Sequence, residues 1–329
     1  MSTHKKKKDK KERPRLHPRN KHQGRYDLKE LYEGTPALKE FIQKNIHGSE
    51  TIDFSNPDAV KSLNQAILKT QYGINHWDIP TNYLVPPIPS RADYIHHMAD
   101  LLCNHNYGVI PRNEKITCLD IGIGANCIYP IIGAHEYGWN FIGADIDPIA
   151  IDSCKNIISK NSQLIEKIEL RTQTDIKDII YGILRKEDKV DLTICNPPFH
   201  ASAEDAQTGS LRKVNNLSEN KTTTAALNFG GQSHELWCEG GEKKFIRDLI
   251  RQSKKFSNSA YWFSTLVSKA SNVKGIEQSL KEAQAVEVQV IPMGQGNKTS
   301  RIVAWTFLSK GDQKEWKDSR WKDKKAKSA

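Results

Sequence analysis

The 329-residue sequence predicts an α/β fold with a mostly parallel, seven-stranded sheet that is covered by helices on both faces. Two observations predict it. From residue 115 onward, short apolar runs alternate with helical stretches, which is the order of a parallel sheet with crossover helices. The last two apolar runs are separated by only about ten residues rich in Gly and Asn, which indicates an antiparallel pair near the end of the chain.

The sheet occupies residues 111–309. The predicted strands are Ile116–Ile121, Asn140–Ala144, Ile168–Arg171, Val190–Cys195, Tyr261–Val267, Val286–Ile291 and Ile302–Leu308. Helices are expected between them, at 149–160 and 242–256. Residues 201–230 are polar and dense in Ser, Thr and Asn. Structureless segments of that length are usually functional or disordered, so we expect a flexible substrate loop there.

Ahead of the sheet, residues 26–110 predict a mainly helical module. Asn56 and Pro57 open one helix, because Asn caps a helix start and Pro suits its first turn. Prolines at positions 80, 86, 87 and 89 predict a stiff extended linker, and a further helix is expected from Arg91 to Cys103.

The basic charge is concentrated at the two ends of the chain. The formal net charge is +10, but residues 1–25 hold 11 Lys/Arg against 2 Asp/Glu, and residues 310–329 hold 8 against 4. We expect the first segment to be disordered and both to be tails that suit a polyanion such as nucleic acid. Two tryptophans in the second tail, Trp316 and Trp321, either stack on bases or lie in a tail that merely solvates itself.

Composition also excludes several classes. No run approaches 18 apolar residues, so no membrane-spanning segment is expected. The six cysteines form no CxxC pair, which predicts a reducing, cytoplasmic location without disulfides or zinc. No HExxH occurs among the eleven histidines, and His96 and His97 are adjacent rather than four apart, so no metal site is predicted.

A glycine turn follows the first predicted strand. Asp120 precedes Gly122 and Gly124, and the next helix is expected directly afterwards, where backbone N–H groups favour an anionic ligand. The third position of the dinucleotide fingerprint is Cys127 rather than Gly, which weakens the NAD interpretation. Asp145, about 20 residues on, ends the second strand, where a carboxylate can accept both hydroxyls of a ribose. Either a purely structural turn or a nucleoside-containing cofactor explains the pattern.

The sequence Asn196-Pro197-Pro198-Phe199 follows the fourth strand. Its prolines fix the backbone and leave carbonyl acceptors without N–H donors, while the Asn amide supplies another acceptor and a donor. The Phe supplies a stacking face. A rigid turn would explain the sequence, but its place opposite the glycine turn suits a planar amino group, because open α/β sheets bind ligands at the carboxyl ends of their strands.

These two turns and the reversed strand resemble the class I S-adenosylmethionine-dependent methyltransferases, a Rossmann-like fold, and in particular those that act on amino groups. Further segments resemble one family along nearly the whole chain, from about Leu16 to Leu308: Leu16-His17-Pro18-Arg19-Asn20, Arg25-Tyr26-Asp27, Trp77-Asp78-Ile79-Pro80, Arg91-Ala92-Asp93-Tyr94-Ile95-His96-His97 and Cys195-Asn196-Pro197-Pro198-Phe199-His200. They are similar to the bacterial 23S rRNA adenine-N6 methyltransferase F family (RlmF). A eukaryotic relative, methyltransferase-like protein 16, shares these signatures.

The resemblance implies S-adenosylmethionine as cofactor and the N6 amine of a specific adenosine in 23S rRNA as the methyl acceptor. It implies cofactor contacts at Arg91, Asp120, Gly122, Gly124, Asp145, Thr174 and Asn196. In this family Arg91 matches an arginine that reaches the methionine carboxylate, and Thr174 or Asp175 matches the region near the adenine. It implies catalytic roles for Asn196 and the Pro197 carbonyl, which hold the amine, and for Phe199, which stacks on the base. The implied partner is 23S rRNA or a large-subunit assembly intermediate. A monomer is the default expectation, and the module 26–110, the basic start and the loop 201–230 are expected to grip the RNA.

Other functions stay open at this point. Glutamine-N5 methylation of a protein uses a similar turn, although usually with Tyr where this chain has Phe199. Adenine methylation of DNA would call for a sequence-reading domain, which is not evident. A non-catalytic RNA-binding subunit could keep the fold, but the intact turn at Asn196 and the acid at Asp145 argue against decay. A Rossmann dehydrogenase is disfavoured by Cys127 and by the turn at Asn196–Phe199.

Overall fold

The computed structural model describes residues 15–205, 233–295 and 298–322. Within them, seven strands form one sheet in the order β5-β4-β3-β6-β7-β9-β8, and a separate hairpin pairs β1 with β2. The strands are β1 Ile42–Lys44, β2 Glu50–Ile52, β3 Thr117–Ile121, β4 Asn140–Asp145, β5 Ile168–Thr172, β6 Val190–Cys195, β7 Ala260–Val267, β8 Glu287–Gln295 and β9 Lys298–Thr306. The short hairpin was not predicted, and it interrupts the helical module.

Helices cover the sheet and build the N-terminal module. They are α1 Leu28–Gly34, α2 Pro57–Tyr72, α3 Ile88–His105, α4 Ile128–Tyr137, α5 Pro148–Ser159, α6 Ser162–Ile165, α7 Ser233–Leu236, α8 Gly241–Lys255, α9 Val273–Glu282 and α10 Lys310–Arg320, with 3₁₀ turns at Pro36–Phe41, Asn113–Lys115 and Ala270–Asn272. None of the described helices is long and apolar enough to cross a membrane. Most of the predicted loop at 201–230 lies outside the described residues.

The sheet confirms the predicted fold class. Strands β3 to β7 are parallel, and β9 runs antiparallel to both β7 and β8. The chain moves outward from β3 through β4 to β5 and then returns to place β6 on the other side of β3. The order of the strands therefore reverses between β3 and β6, and open α/β sheets bind ligands at such a point.

Two apolar layers enclose the sheet. On one face, α2 to α5 pack on residues such as Cys118 and Ile194. On the other face, α8 and α9 pack on residues such as Leu119 and Phe263. Alternate residues of the central strands thus enter opposite layers, which explains why these strands are buried on both sides and read as continuous apolar runs.

Helices α2 and α3 of the helical module both start at residues that favour the first turn of a helix. Asn56 caps α2 by accepting from the backbone N–H groups of Asp58 and Ala59, as predicted. Helix α3 starts at Ile88, three residues earlier than predicted, and takes Pro89 into its first turn. The predicted proline linker is therefore shorter than expected, because a proline is compatible with the first turn of a helix.

The expectation of a disordered segment up to residue 25 is wrong for the residues that the structure describes, 15–25. His17 and Asn20 are buried against α3. Asp93, which is 1% exposed, accepts hydrogen bonds from the His17 backbone N–H (2.5 Å) and from Asn20 Nδ2 (3.2 Å). A buried carboxylate requires such donors, so the segment is bound to the module rather than free.

The expectation of a free C-terminal tail is wrong as well. Helix α10 starts with a capping box between Ser309 and Asp312 and lies against the sheet. Trp316 and Trp321 are buried, and both indole N–H groups donate to Asp191 Oδ1 at 2.7 Å. Since their rings are packed beside Tyr261, they cannot stack on RNA bases as the sequence had left open.

Candidate active site

The glycine turn connects β3 to α4 and has a left-handed backbone. Gly122 has φ +75° and Gly124 has φ +62°, conformations that favour residues without a Cβ. The N–H groups of Gly122 and Ile123 both donate to the carbonyl of Ala144 at 2.9 Å, which holds the turn against the end of β4. A Cβ built on Gly122 would meet no atom within 4 Å, so the turn borders open space that a ligand can enter.

Asp145 ends β4 beside this turn. Its Oδ2 accepts from the Gly124 N–H at 2.8 Å and its Oδ1 accepts from the Asp147 N–H at 3.0 Å. Each carboxylate oxygen has a second lone pair. The side chain therefore shapes the turn at the end of β4, where a ligand hydroxyl that enters beside Gly122 could donate to it.

Asp120 lies beneath the turn in the interior. It is 0% exposed, and neither carboxyl oxygen has a hydrogen-bond partner among the described residues. Burial and, next, the negative charge of Asp145 raise its pKa to about 8, while the charge of Arg91 opposes this. A buried carboxyl without donors costs free energy unless a bound group supplies them, so Asp120 indicates a missing polar or cationic partner.

Arg91 reaches the same region from the first turn of α3. It is 8% exposed, its Nη1 donates to Tyr129 Oη at 3.2 Å, and its guanidinium carbon lies 5.5 Å from the centre of that ring. Burial raises the pKa of Tyr129 to about 12, although the charge of Arg91 lowers it, so the hydroxyl stays neutral. A buried guanidinium held on an aromatic ring suits bidentate binding of a carboxylate.

The Asn196 turn lies next to the glycine turn because β3 and β6 are neighbours. Ile121 pairs with Cys195, so Gly122 and Asn196 follow adjacent strand ends. Asn196 Oδ1 is buried and has no hydrogen-bond partner among the described residues. Phe199 is partly buried and packs against the core. The structure thus brings the two predicted turns together at one edge of the sheet.

Thr174, in contrast, lies at the margin of this site. Its side chain is exposed, and its N–H donates to Gln173 Oε1 at 2.8 Å. Gln173 is buried, and its own N–H donates to the Asp145 carbonyl at 2.8 Å, so it continues the edge of the site from β4 to β5. Sequence analysis missed Gln173, which follows the strand directly and carries no motif of its own.

Sequence analysis also missed how the helical module holds the site. The Trp77 indole N–H donates to the carbonyl of Asn126 at 2.8 Å, inside the loop that leads into α4. Tyr83 Oη donates to Asp147, and the Leu84 N–H donates to Glu235 at 3.3 Å. The motif Trp77-Asp78-Ile79-Pro80 was recognised from the sequence, but no local pattern revealed its partner.

The residues present fit S-adenosylmethionine. The orphaned oxygens of Asp120 can accept from a cationic amino group, the Arg91 guanidinium can bind a carboxylate, and Asp145 can accept from a ribose. The space over Gly122 leaves room for the ligand backbone. In the described part of the chain, no group of three or more His, Cys, Asp or Glu side chains is placed to hold a metal ion. All six cysteines are free thiols.

This fold and this edge of the sheet define a class I methyltransferase that uses S-adenosylmethionine. Residues 10–309 match the family described as RNA methyltransferase, and the chain belongs to that family. The predicted enzyme class is confirmed, and membership of an RNA methyltransferase family favours RNA over the glutamine and dehydrogenase alternatives.

Relatives support the assignment over nearly the whole chain. The sequence is 55% identical over 319 residues to ribosomal RNA large subunit methyltransferase F of Cytophaga hutchinsonii, covering 96% of this chain and 99% of that protein. It is 54% identical over 308 residues to the protein of the same name from Pseudomonas fluorescens, covering 93% and 90%. The resemblance found in the sequence is therefore confirmed.

Solved structures show the same architecture. The catalytic domain of human METTL16 in complex with the MAT2A 3′UTR hairpin 1 is similar with a TM-score of 0.76 at 27% identity, covering 90% of this chain and 96% of that one. The N-terminal domain of human METTL16 in complex with SAH is similar with a TM-score of 0.70 at 25% identity, covering 89% and 99%.

Proposed function

We propose that this protein transfers a methyl group from S-adenosylmethionine to the N6 amine of a specific adenosine in 23S rRNA. The observation that carries the proposal is the buried Asn196 Oδ1, an acceptor without a partner at the strand end next to the glycine turn. A planar amino group offers the donor that this oxygen lacks. The names of the bacterial relatives support ribosomal RNA of the large subunit as the substrate.

The cofactor is held, in this proposal, by residues from four elements. Arg91 binds the methionine carboxylate, Asp120 accepts from the adjacent amino group, and Asp145 accepts from the ribose hydroxyls. Gly122 and Gly124 let the backbone approach the ligand. The chain near Thr174 borders the adenine. Binding of the cationic amino group lowers the raised pKa of Asp120 toward its ordinary value, because the amino group adds N–H donors and a positive charge beside the buried carboxylate.

The Asn196 turn activates the target amine by holding it. The lone pair of the exocyclic nitrogen is delocalised into the adenine ring, which makes it a poor nucleophile. Asn196 Oδ1 and the Pro197 carbonyl each accept a hydrogen bond from one N–H of the amine, which draws the nitrogen toward tetrahedral geometry. Phe199 stacks on the base. The bound cofactor supplies an electrophilic methyl group. Asn196, the Pro197 carbonyl and Phe199 would hold the amine nitrogen in line with that methyl group, and such positioning provides much of the rate. The proton that the nitrogen no longer needs would leave to solvent, so no dedicated base is required.

The adenosine must leave its base stack to enter this site, which favours a single-stranded or looped region of the RNA. We assign the 26–110 module to RNA binding, and the bond from Trp77 to the Asn126 carbonyl holds this module beside the glycine turn. The protein acts in this proposal as a cytoplasmic monomer on rRNA or on an assembly particle.

The test uses methyl-labelled S-adenosylmethionine and 23S rRNA from cells that lack the enzyme, followed by digestion to nucleosides. Asn196→Ala removes the orphaned acceptor, and Asn258→Ala, at an exposed position, is the matched control. We expect label in N6-methyladenosine with the wild type and the control and none with Asn196→Ala. Label in another nucleoside, or in glutamine of a protein, would contradict the proposal.

A further inference from the structure

Helix α8 presents a strongly basic outer face. Its inner face packs Ile246, Leu249 and Ile250 into the core. Six lysines and arginines occupy the rest of the helix, at positions 243, 244, 247, 251, 254 and 255. Lys243, Arg247, Arg251 and Lys255 are exposed and follow one another at intervals of four residues, which places them along one side of the helix.

Acidic residues do not balance this charge. Glu242 is buried and accepts hydrogen bonds from the Ser268 N–H (2.6 Å) and Asn272 Nδ2 (2.6 Å), so it belongs to the interior. Asp248 lies 3.5 Å from Lys244 Nζ and 3.3 Å from Arg251 Nη2, and it is the remaining acid of the helix. Like charges four residues apart on a helix repel one another, so an anionic partner bound to this face would lower the repulsion between its side chains.

The neighbouring helices lack this property. Helix α9, which packs beside α8, exposes Lys274 and Lys281 together with Glu277 and Glu282, so its charges cancel. On the other side of the sheet, α5 pairs Lys155 with Asp152 at 2.9 Å. The uncompensated basic face of α8 is therefore not shared by α5 or α9.

A cleft at the far end of α8 adds to the face. It has a volume of about 310 Å³ and is lined by Lys177, Asp178, Tyr181, Arg251, Gln252 and Lys255. Three of these side chains are cationic and one is acidic. Tyr181 is 37% exposed and offers part of an aromatic ring. Cations beside an aromatic face suit a nucleotide, because phosphates bind the cations and bases stack on rings.

The basic face starts beside the Asn196 turn. A methyl group on Gly241, the first residue of α8, would lie 3.3 Å from the Cα of Ala201, two residues beyond Phe199. The His200 carbonyl accepts from the Cys238 N–H at 3.1 Å, which joins the turn to the residues that lead into the helix. From Lys243 to Lys255 the helix extends ~18 Å away from this edge.

We infer that the α8 basic face, Lys243, Arg247, Arg251 and Lys255 together with the cleft at Lys177 and Tyr181, binds the phosphodiester backbone of the substrate RNA where the strand leaves the catalytic turn. The inference rests on the proposed RNA substrate. In this inference α8 holds the RNA strand through its phosphates. Phosphate contacts carry no sequence information, so α8 does not select the target adenosine.

The test compares two triple variants that each remove three positive charges. One is Lys243→Gln/Arg247→Gln/Arg251→Gln on α8. The other, the control, is Lys155→Gln/Lys274→Gln/Lys281→Gln on α5 and α9. Affinity for 23S rRNA from cells lacking the enzyme is measured by filter binding between about 50 and 200 mM salt. SAH affinity and the KM and kcat of methyl transfer are measured beside it.

We expect the α8 variant to lose on the order of ten- to fiftyfold in RNA affinity and to lower the salt-dependence slope by about 2, since each phosphate contact on a single strand contributes roughly 0.7. Its KM for RNA should rise while kcat and SAH affinity hold. Arg247→Gln alone, should the triple variant fail to fold, lowers the slope by about 0.7.

Equal RNA affinity and slope in the α8 and control variants would overturn the inference, and so would a slope in the Arg247→Gln variant that equals that of the wild type. Because these readings concern binding, they are separate from the proposed chemistry. A wild-type protein that binds 23S rRNA through α8 but methylates another nucleoside would refute the proposed function and leave the RNA contact standing.

Discussion

Replacing Asp191 is expected to detach the C-terminal helix and to destabilise the whole domain. Asp191 is 0% exposed at the start of β6. Its Oδ1 accepts from the Trp316 and Trp321 indole N–H groups at 2.7 Å, and its Oδ2 accepts from the Thr117 N–H at 2.8 Å and from Arg320 Nη2 at 3.2 Å. Arg320 Nε also donates to Oδ1, at 3.3 Å, so this one carboxylate accepts five hydrogen bonds from four residues.

The expected loss in the free energy of unfolding can be estimated from the donors that Asp191→Ala leaves without an acceptor. Two indole N–H groups, the Thr117 N–H and the partly exposed Arg320 guanidinium lose their acceptor. A buried donor left without an acceptor costs about 1–3 kcal/mol, so we expect a total loss of about 3–5 kcal/mol. Asp191→Asn keeps the size but loses the charge, so we expect a smaller loss of roughly half that amount. A chain ending at Ser309 should lose a similar amount as the Ala variant, because it removes α10 and uncovers Tyr261.

Urea titration followed by tryptophan fluorescence measures these changes in the free energy of unfolding. Asp318→Asn is the control, since the ion pair of Asp318 with Lys322 lies at the surface, and we expect no measurable change from it. A loss below about 1 kcal/mol for Asp191→Ala would refute the reasoning, because charged hydrogen bonds contribute more than that. So would additive losses for Asp191→Ala and Trp316→Phe, since the two share one contact.

Three further predictions concern pH and the cofactor site. His22 and His96 are buried, and burial, the largest cause, lowers the pKa of each to about 4. The contribution of each neutral imidazole to the free energy of unfolding is therefore fully present above the unfolded pKa near 6.5, and it should fall by on the order of 3 kcal/mol for each group as the pH drops from 6.5 to 4. A urea midpoint that does not change over that range would contradict this. Gly122→Ala should weaken SAH binding measured by calorimetry and destabilise the fold by roughly 1–2 kcal/mol because of its φ of +75°; unchanged affinity would remove the turn from the cofactor site. Tyr129→Phe should lower SAH affinity severalfold with little change in RNA affinity, because the hydroxyl positions Arg91; the opposite pattern would count against that role.

Local sequence patterns predicted the elements whose signals are local. The apolar runs identified all seven strands of the sheet, and the Asn56-Pro57 pair identified the start of α2, because burial on both faces and helix capping leave marks within a few residues. The two turns at Gly122 and Asn196 were visible for the same reason, and the sheet order then placed them side by side.

The remainder depends on contacts that are distant in the sequence. His17 meets Asp93 across 76 residues and Trp321 meets Asp191 across 130, so neither docked end leaves a periodicity that composition could reveal. Both ends look like tails because they are rich in lysine and arginine. Each is anchored instead by a buried carboxylate on the folded body. The local sequence around a single acidic residue in a strand or helix does not indicate which distant residue will bind it.

The bond from the Trp77 indole to the carbonyl of Asn126 has a consequence for how the molecule can be divided. It crosses the boundary between the helical module and the sheet, and it ends inside the loop that connects the glycine turn to α4. Tyr83 and Asp147 repeat the crossing a short distance away. We therefore expect the helical module and the sheet to unfold together. Replacing either part with its equivalent from another protein would require both of these contacts to be rebuilt.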